Sequence, residues 1–151
     1  NPVKYLERKI DEVEGITWFY SWHSPHFHLR GGAAFYVYIG MKNGDVWKRF
    51  KARYDGYKWL FFNKILVKAD DKLFTIAINE FRDNKKDIFG GHPSETVDLA
   101  VDPAIQAMLE AVAKAKKVIV RFSGKYDADF VLTPNQKAAI GEILTAYREI
   151  S

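Results

Sequence analysis

The chain has 151 residues, no cysteine, a formal net charge of +4 and 48% hydrophobic residues. This length and composition predict a single globular domain over residues 1–151 with a sizeable packed core. The absence of cysteine excludes disulfides, zinc ribbons, thiol catalysis and iron–sulfur clusters. No run approaches the roughly 18 consecutive apolar residues of a membrane-spanning helix, so no transmembrane segment is predicted. The charge is only mildly basic, which disfavours a nucleic-acid partner.

Residues 1–15 predict a short N-terminal helix. Apolar residues recur there at helical spacing, and Gly15 follows as a stop signal. The apolar positions are Val3, Leu6, Ile10 and Val13. From Ile16 onward the hydrophobic period changes to two, which predicts strands.

A hairpin centred on Asn43-Gly44 is the clearest local pattern. The two segments that flank it, residues 33–41 and 46–54, both alternate in the manner of strands. Asn-Gly suits the turn because both central residues must take positive φ. In the second strand, Phe50, Ala52 and Tyr54 should lie on one face, opposite Trp47, Arg49, Lys51 and Arg53.

The remaining segments predict strands first and helices later. Residues 57–69 suggest a strand covered on both faces, Asp70-Asp71 a turn, and residues 82–94 a polar loop. Asp102-Pro103 and Thr133-Pro134 each combine a helix cap with proline at the first helical position. We therefore predict an α+β fold, an antiparallel β-sandwich or curled sheet of about eight strands with N-terminal, middle and C-terminal helices packed on it.

Three of the four histidines lie within residues 21–32, in the stretch SWHSPHFHLRGG. A small metal-dependent hydrolase would use three protein ligands and an open position for water, usually beside a carboxylate. The candidate ligands are His23, His26, His28 and, from a distant segment, His92. No Asp or Glu occurs between Gly15 and Asp45, and no H-E-x-x-H helix is present. A surface loop is the favoured interpretation, and the metal site is the alternative.

Six residues of the central hairpin are candidates for ligand binding. Arg49, Lys51 and Arg53 recur along one strand face at intervals of about 7 Å, and Trp47 begins the row. Such a row can bind phosphate or single-stranded nucleic acid, or can protect a sheet edge from aggregation. Tyr36 and Tyr38 can anchor a partner or belong to a core. We favour the structural interpretation for both sets.

No catalytic signature is present. The chain lacks a G-x-S-x-G elbow, a phosphate-binding G-x-x-x-x-G-K-[ST] loop and a dinucleotide-binding glycine motif. We therefore assign no catalytic residue and no cofactor. Arg121 and Asp129 should form a structural pair across the last hairpin.

The segments ARYDGYKWLFF and DPAIQAMLEAVAKAKKVIVRFSGKYDADFVLTPNQKAAIGEIL carry a resemblance. Over residues 46–150 their order of strand, amphipathic helix, hairpin and closing helix is similar to small extracytoplasmic bacterial β-sandwich proteins. These are the invasion-associated locus B type and the VasI type linked to type VI secretion. The resemblance implies a periplasmic, secreted or lipid-anchored domain without enzymatic activity that binds a protein or a cell-envelope component. Asn1-Pro2 without a methionine suggests that an upstream piece has been removed.

Overall fold

The computed structural model describes residues 3–24 and 33–151. The described residues form ten antiparallel strands and three helices. In chain order they are β1 (Glu7–Asp11), β2 (Ile16–Tyr20), β3 (Ala33–Lys42), β4 (Asp45–Asp55), β5 (Lys64–Ala69), β6 (Lys72–Ala77), α1 (Glu80–Asp83), β7 (Lys85–Phe89), β8 (His92–Ala100), α2 (Pro103–Lys114), β9 (Val118–Ser123), β10 (Asp127–Val131) and α3 (Pro134–Ile150).

The strands make two sheets. One has six strands in the order β1-β2-β3-β4-β8-β7, and the other has four in the order β10-β9-β5-β6. The α+β class is therefore confirmed. The predicted sandwich or curled sheet of about eight strands is not exact, because the described residues supply ten strands, six in one sheet and four in the other.

One hydrophobic core joins both sheets and the two long helices. The inner face of the six-stranded sheet, the inner face of the four-stranded sheet and the apolar sides of α2 and α3 all contribute to it. Helix α3 packs on β3 and β4, and α2 packs on α3, β5 and β6. The sheets also touch directly, since the Tyr54 ring lies 6.2 Å from that of Phe122 and 6.3 Å from that of Phe130.

The predicted turn at Asn43-Gly44 is confirmed. Asn43 has φ 52° and Gly44 has φ 83°, as a two-residue hairpin with this sequence requires. The strands on either side pair over ten positions, and Tyr36 lies opposite Lys51. This register fixes which side chains of β3 and β4 share a face.

The two predicted helix caps are also confirmed. The Asp102 carboxylate accepts a hydrogen bond from the Ile105 N–H at 2.8 Å at the start of α2. Thr133 and Gln136 form a reciprocal capping box at the start of α3. Arg121 donates two hydrogen bonds to Asp129, so the predicted pair across the last hairpin is present.

The predicted N-terminal helix is wrong. Residues 7–11 form β1, which pairs antiparallel with β2. The Asp11 side chain accepts hydrogen bonds from the N–H groups of Val13 and Glu14, and this local turn competes with helix formation. Gly15, with φ 70°, closes the turn rather than a helix. The supposed apolar stripe is not buried as a unit, since Leu6 belongs to the core whereas Ile10 is 60% and Val13 93% exposed.

Two further segments differ from the prediction. Residues 82–94 are not a loop, because they include most of the edge strand pair β7–β8, which turns at Gly90 and Gly91 with positive φ. Residues 57–63 are not a strand, and β5 begins only at Lys64. Phe61 has φ 52°, which breaks the extended conformation.

A buried carboxylate explains the irregular segment before β5. Glu95 on β8 is fully buried and accepts hydrogen bonds from the N–H groups of Leu60 at 2.7 Å and Phe62 at 3.0 Å. The side-chain amide of Asn84 donates a third bond at 2.9 Å. Two backbone donors that a strand would offer to a neighbour are thus bound by a side chain, and Phe61 between them turns outward.

We expect Glu95→Gln to lower the free energy of unfolding by about 3 kcal/mol, because an amide cannot accept from three donors and the buried N–H groups lose a charged acceptor. Urea unfolding measures the change. Glu12→Gln removes an exposed carboxylate in the β1–β2 turn and serves as the matched control. A Glu95→Gln protein within about 0.5 kcal/mol of the control would contradict this account.

Candidate functional site on the outer face of the six-stranded sheet

The six hairpin residues singled out from the sequence all lie on one face of the six-stranded sheet. This face points away from the helices, and we call it the outer face. The register of β3 and β4 sets Tyr36 beside Lys51, Tyr38 beside Arg49 and Gly40 beside Trp47, with Arg53 next along β4. The structure thus brings the candidate aromatic and cationic residues together.

The aromatic residues of the outer face form a second, smaller core. Tyr36 and Tyr38 are buried, and Trp18 and Tyr20 of β2 pack against them. The rings of Tyr20 and Tyr38 are stacked at 5.1 Å, and those of Trp18 and Tyr38 lie 5.4 Å apart. Burial raises the pKa of Tyr36 and of Tyr38 well above the ordinary value of a tyrosine. The side chains of these two tyrosines therefore serve to pack the sheet, and a large partner cannot reach them.

The indole of Trp47 lies across β3 at Gly40. A Cβ atom at Gly40 would come within 2.4 Å of the indole ring, so only glycine leaves room for it. Trp47 also meets Trp18 edge to face at 5.8 Å. The partly exposed Trp47 therefore forms one end of the aromatic cluster.

Two of the cations on this face are paired. Arg49 donates to the Asp98 carboxylate at 2.7 Å, and the Tyr38 hydroxyl donates to the same carboxylate. Arg53 is buried and donates to Asp55 at 3.1 Å. The carboxylates of Asp98 and Asp55 are thus already engaged by neighbours on the sheet.

Lys51 differs from the two arginines. It is half-buried, and its ammonium makes no hydrogen bond or ion pair with the residues that the structure describes. Burial lowers the pKa of Lys51, and the positive charges of Arg53, Lys85 and Lys9 lower it further, against the opposing attraction of Asp98. A half-buried cation among other cations is unfavourable unless an anion joins it.

The histidine segment is described only up to Ser24. His23 Nδ1 donates to Glu142 Oε1 at 2.8 Å, and the buried Ser21 hydroxyl donates to Glu142 Oε2 at 2.7 Å. Sequence reasoning missed Glu142, which lies 119 residues from His23 on α3. No local pattern could have signalled this contact.

The structure does not bring His23 and His92 together. His92 begins β8 and packs edge to face on Tyr57 at 5.0 Å, whereas His23 follows β2, with β3 and β4 in between. His26 and His28 lie outside the described residues. Within residues 3–24 and 33–151, no group of three or more His, Asp or Glu side chains is placed to hold a metal ion.

No family model, curated protein or solved structure matches the chain. Among the helices of the described residues, none combines the length and the apolar character needed to cross a bilayer.

Proposed function

We propose that this protein is a non-enzymatic binding domain that acts outside the cytoplasm and holds an acidic group of a protein or cell-envelope component on its outer face. The observation that carries the proposal is Lys51, a half-buried ammonium without an ion pair among the described residues. Its cross-strand neighbour Asp98 attracts it, but that one carboxylate is also bound by Arg49 and Tyr38, so the cations of the outer face outnumber the carboxylates beside them.

The charge balance on the outer face favours an anion as the bound group. With the arginines paired, Lys51 remains together with Lys9, which lies 5.2 Å from the Tyr20 ring, and the exposed Lys85. A carboxylate or phosphate that reached Lys51 would replace the water lost on burial with a charged hydrogen bond. Partly exposed Trp47 lies on the same strand and offers a flat apolar contact beside the charge.

The location is supported by the resemblance of residues 46–150 to small extracytoplasmic β-sandwich proteins. An antiparallel scaffold with two closing helices is consistent with that layout. Domains of this kind act through their surface, as the outer face would. Fractionation of cells that express the full-length gene tests the location, and recovery in the cytoplasm alone would overturn it.

Lys51→Gln tests the binding proposal, and Lys68→Gln, an exposed lysine of β5 in the other sheet, is the matched control. We expect Lys51→Gln to weaken binding of a polyglutamate peptide or of polygalacturonate about three- to fivefold, which corresponds to one partly screened ion pair. Chemical-shift titration by NMR measures both variants. Equal affinities for the two variants would contradict the proposal. Tighter binding of an oligonucleotide, with the salt dependence of phosphate contacts, would replace the acidic partner with nucleic acid.

A metal-dependent hydrolase is the second candidate, and one contact favours it. Histidines that bind metals commonly donate their other ring nitrogen to a carboxylate, as His23 does to Glu142. His23 Nε2 would then be one ligand, while His26 and His28 lie outside the described residues. Zinc titration by calorimetry tests this function. Binding weaker than about 10 µM, or binding that His23→Ala leaves unchanged, would end it.

A further inference from the structure

A groove on the surface of α3 lies apart from the outer face. It has a volume of about 490 Å³, and its lining includes Tyr5, Trp22 and residues of α3 from Gly141 to Glu149. Small residues, Gly141 and Ala146, line it on the helix side. Most backbone groups of α3 beside the groove are bonded within the helix, and free carbonyl groups occur only in its last turn near Glu149, so the groove offers mainly ring faces and side-chain charges.

Two aromatic side chains of this groove are unusually open to solvent. Tyr5 is 77% exposed and Trp22 is 68% exposed. Large exposed aromatics mark binding surfaces more often than solitary small apolar residues do. The ammonium of Lys4 lies 5.4 Å from the centre of the Tyr5 ring, so this ring already makes a cation–π contact within the protein.

The charged lining residues Glu142 and Glu149 are acidic, although Lys4 stands beside the Tyr5 ring and the chain as a whole is basic. Glu142 is held in place by the buried Ser21 hydroxyl and by His23 Nδ1. Glu149 lies seven residues further along α3, about 10 Å by the helical rise, and makes no ion pair with the described residues. Two carboxylates thus stand two turns apart along a groove with aromatic side chains.

We propose that this groove binds a linear aliphatic polyamine. One ammonium group of the ligand pairs with Glu142 and another with Glu149, and the methylene chain lies against Trp22 and Tyr5. Carboxylates complement the ammonium charges, and aromatic faces attract both the cations and the alkyl chain. A basic peptide is the less suitable occupant, because most of its amide groups would find no main-chain partners along α3 outside the last turn.

Calorimetry with spermidine at low salt tests the proposal. We expect a dissociation constant at or below about 1 mM. Glu149→Gln should weaken binding about two- to fivefold, which is the range of an exposed ion pair, and Trp22→Leu about threefold through the lost cation–π contact. Glu14→Gln removes an exposed carboxylate elsewhere and should leave binding unchanged.

Three outcomes would overturn the polyamine site. They are the absence of spermidine binding, equal affinities for Glu149→Gln, Trp22→Leu and Glu14→Gln, or an acetylated and amidated Lys-Ala-Ala-Lys peptide that binds as tightly as spermidine. Lys51→Gln should not alter spermidine affinity, because Lys51 lies on the outer face. Failure at the groove is therefore distinguishable from failure of the proposed function.

Discussion

The register between β3 and β4 constrains the whole fold, because side chains are buried on both faces of this strand pair. The register decides which residues enter the main core and which lie on the outer face. Phe35, Val37 and Ile39 enter the main core, while Tyr36 and Tyr38 enter the aromatic cluster on the other side. A shift of one residue in register would exchange the two sets. The Asn43-Gly44 turn holds the register, and so it also determines which cations of β4 stand beside the tyrosines.

The Glu95 carboxylate supplies the second constraint, at the junction of the two sheets. It belongs to β8 of the six-stranded sheet, and it holds the segment that leads into β5 of the four-stranded sheet. The bonds to Leu60 and Phe62 satisfy backbone groups that burial would otherwise leave unpaired. In this way the segment between the two sheets is anchored through its buried residues Leu60 and Phe62, and both sheets share one core.

The structural features that could be predicted from the sequence are those that depend only on residues close together in the chain. The turn at Asn43-Gly44 and the caps at Asp102 and Thr133 depend on chemistry within a few positions, and each was predictable. The N-terminal helix failed because its apolar spacing fits a helix, while the turn at Asp11 favours a hairpin that also needs β2 as a partner.

The features that the sequence did not predict depend on contacts between residues that are far apart in the chain. Glu95 accepts from backbone groups 33 and 35 residues away, and Glu142 meets His23 across 119 residues. The alternation of β4 placed its cations on one face correctly, but it could not show that Asp98 and Asp55 would pair with two of them. Only the folded sheet distinguishes Lys51 from Arg49 and Arg53.

The central claim is that the outer face retains a cation whose charge an acidic partner neutralises. Titration of the lysine side chains by carbon-detected NMR, with Lys51 assigned through Lys51→Gln, tests it most directly. The account predicts that Lys51 titrates below the ordinary lysine value of 10.5 and that a polyglutamate peptide moves its pKa upward. A Lys51 that titrates at or above 10.5, or that does not respond to the peptide, would contradict the account.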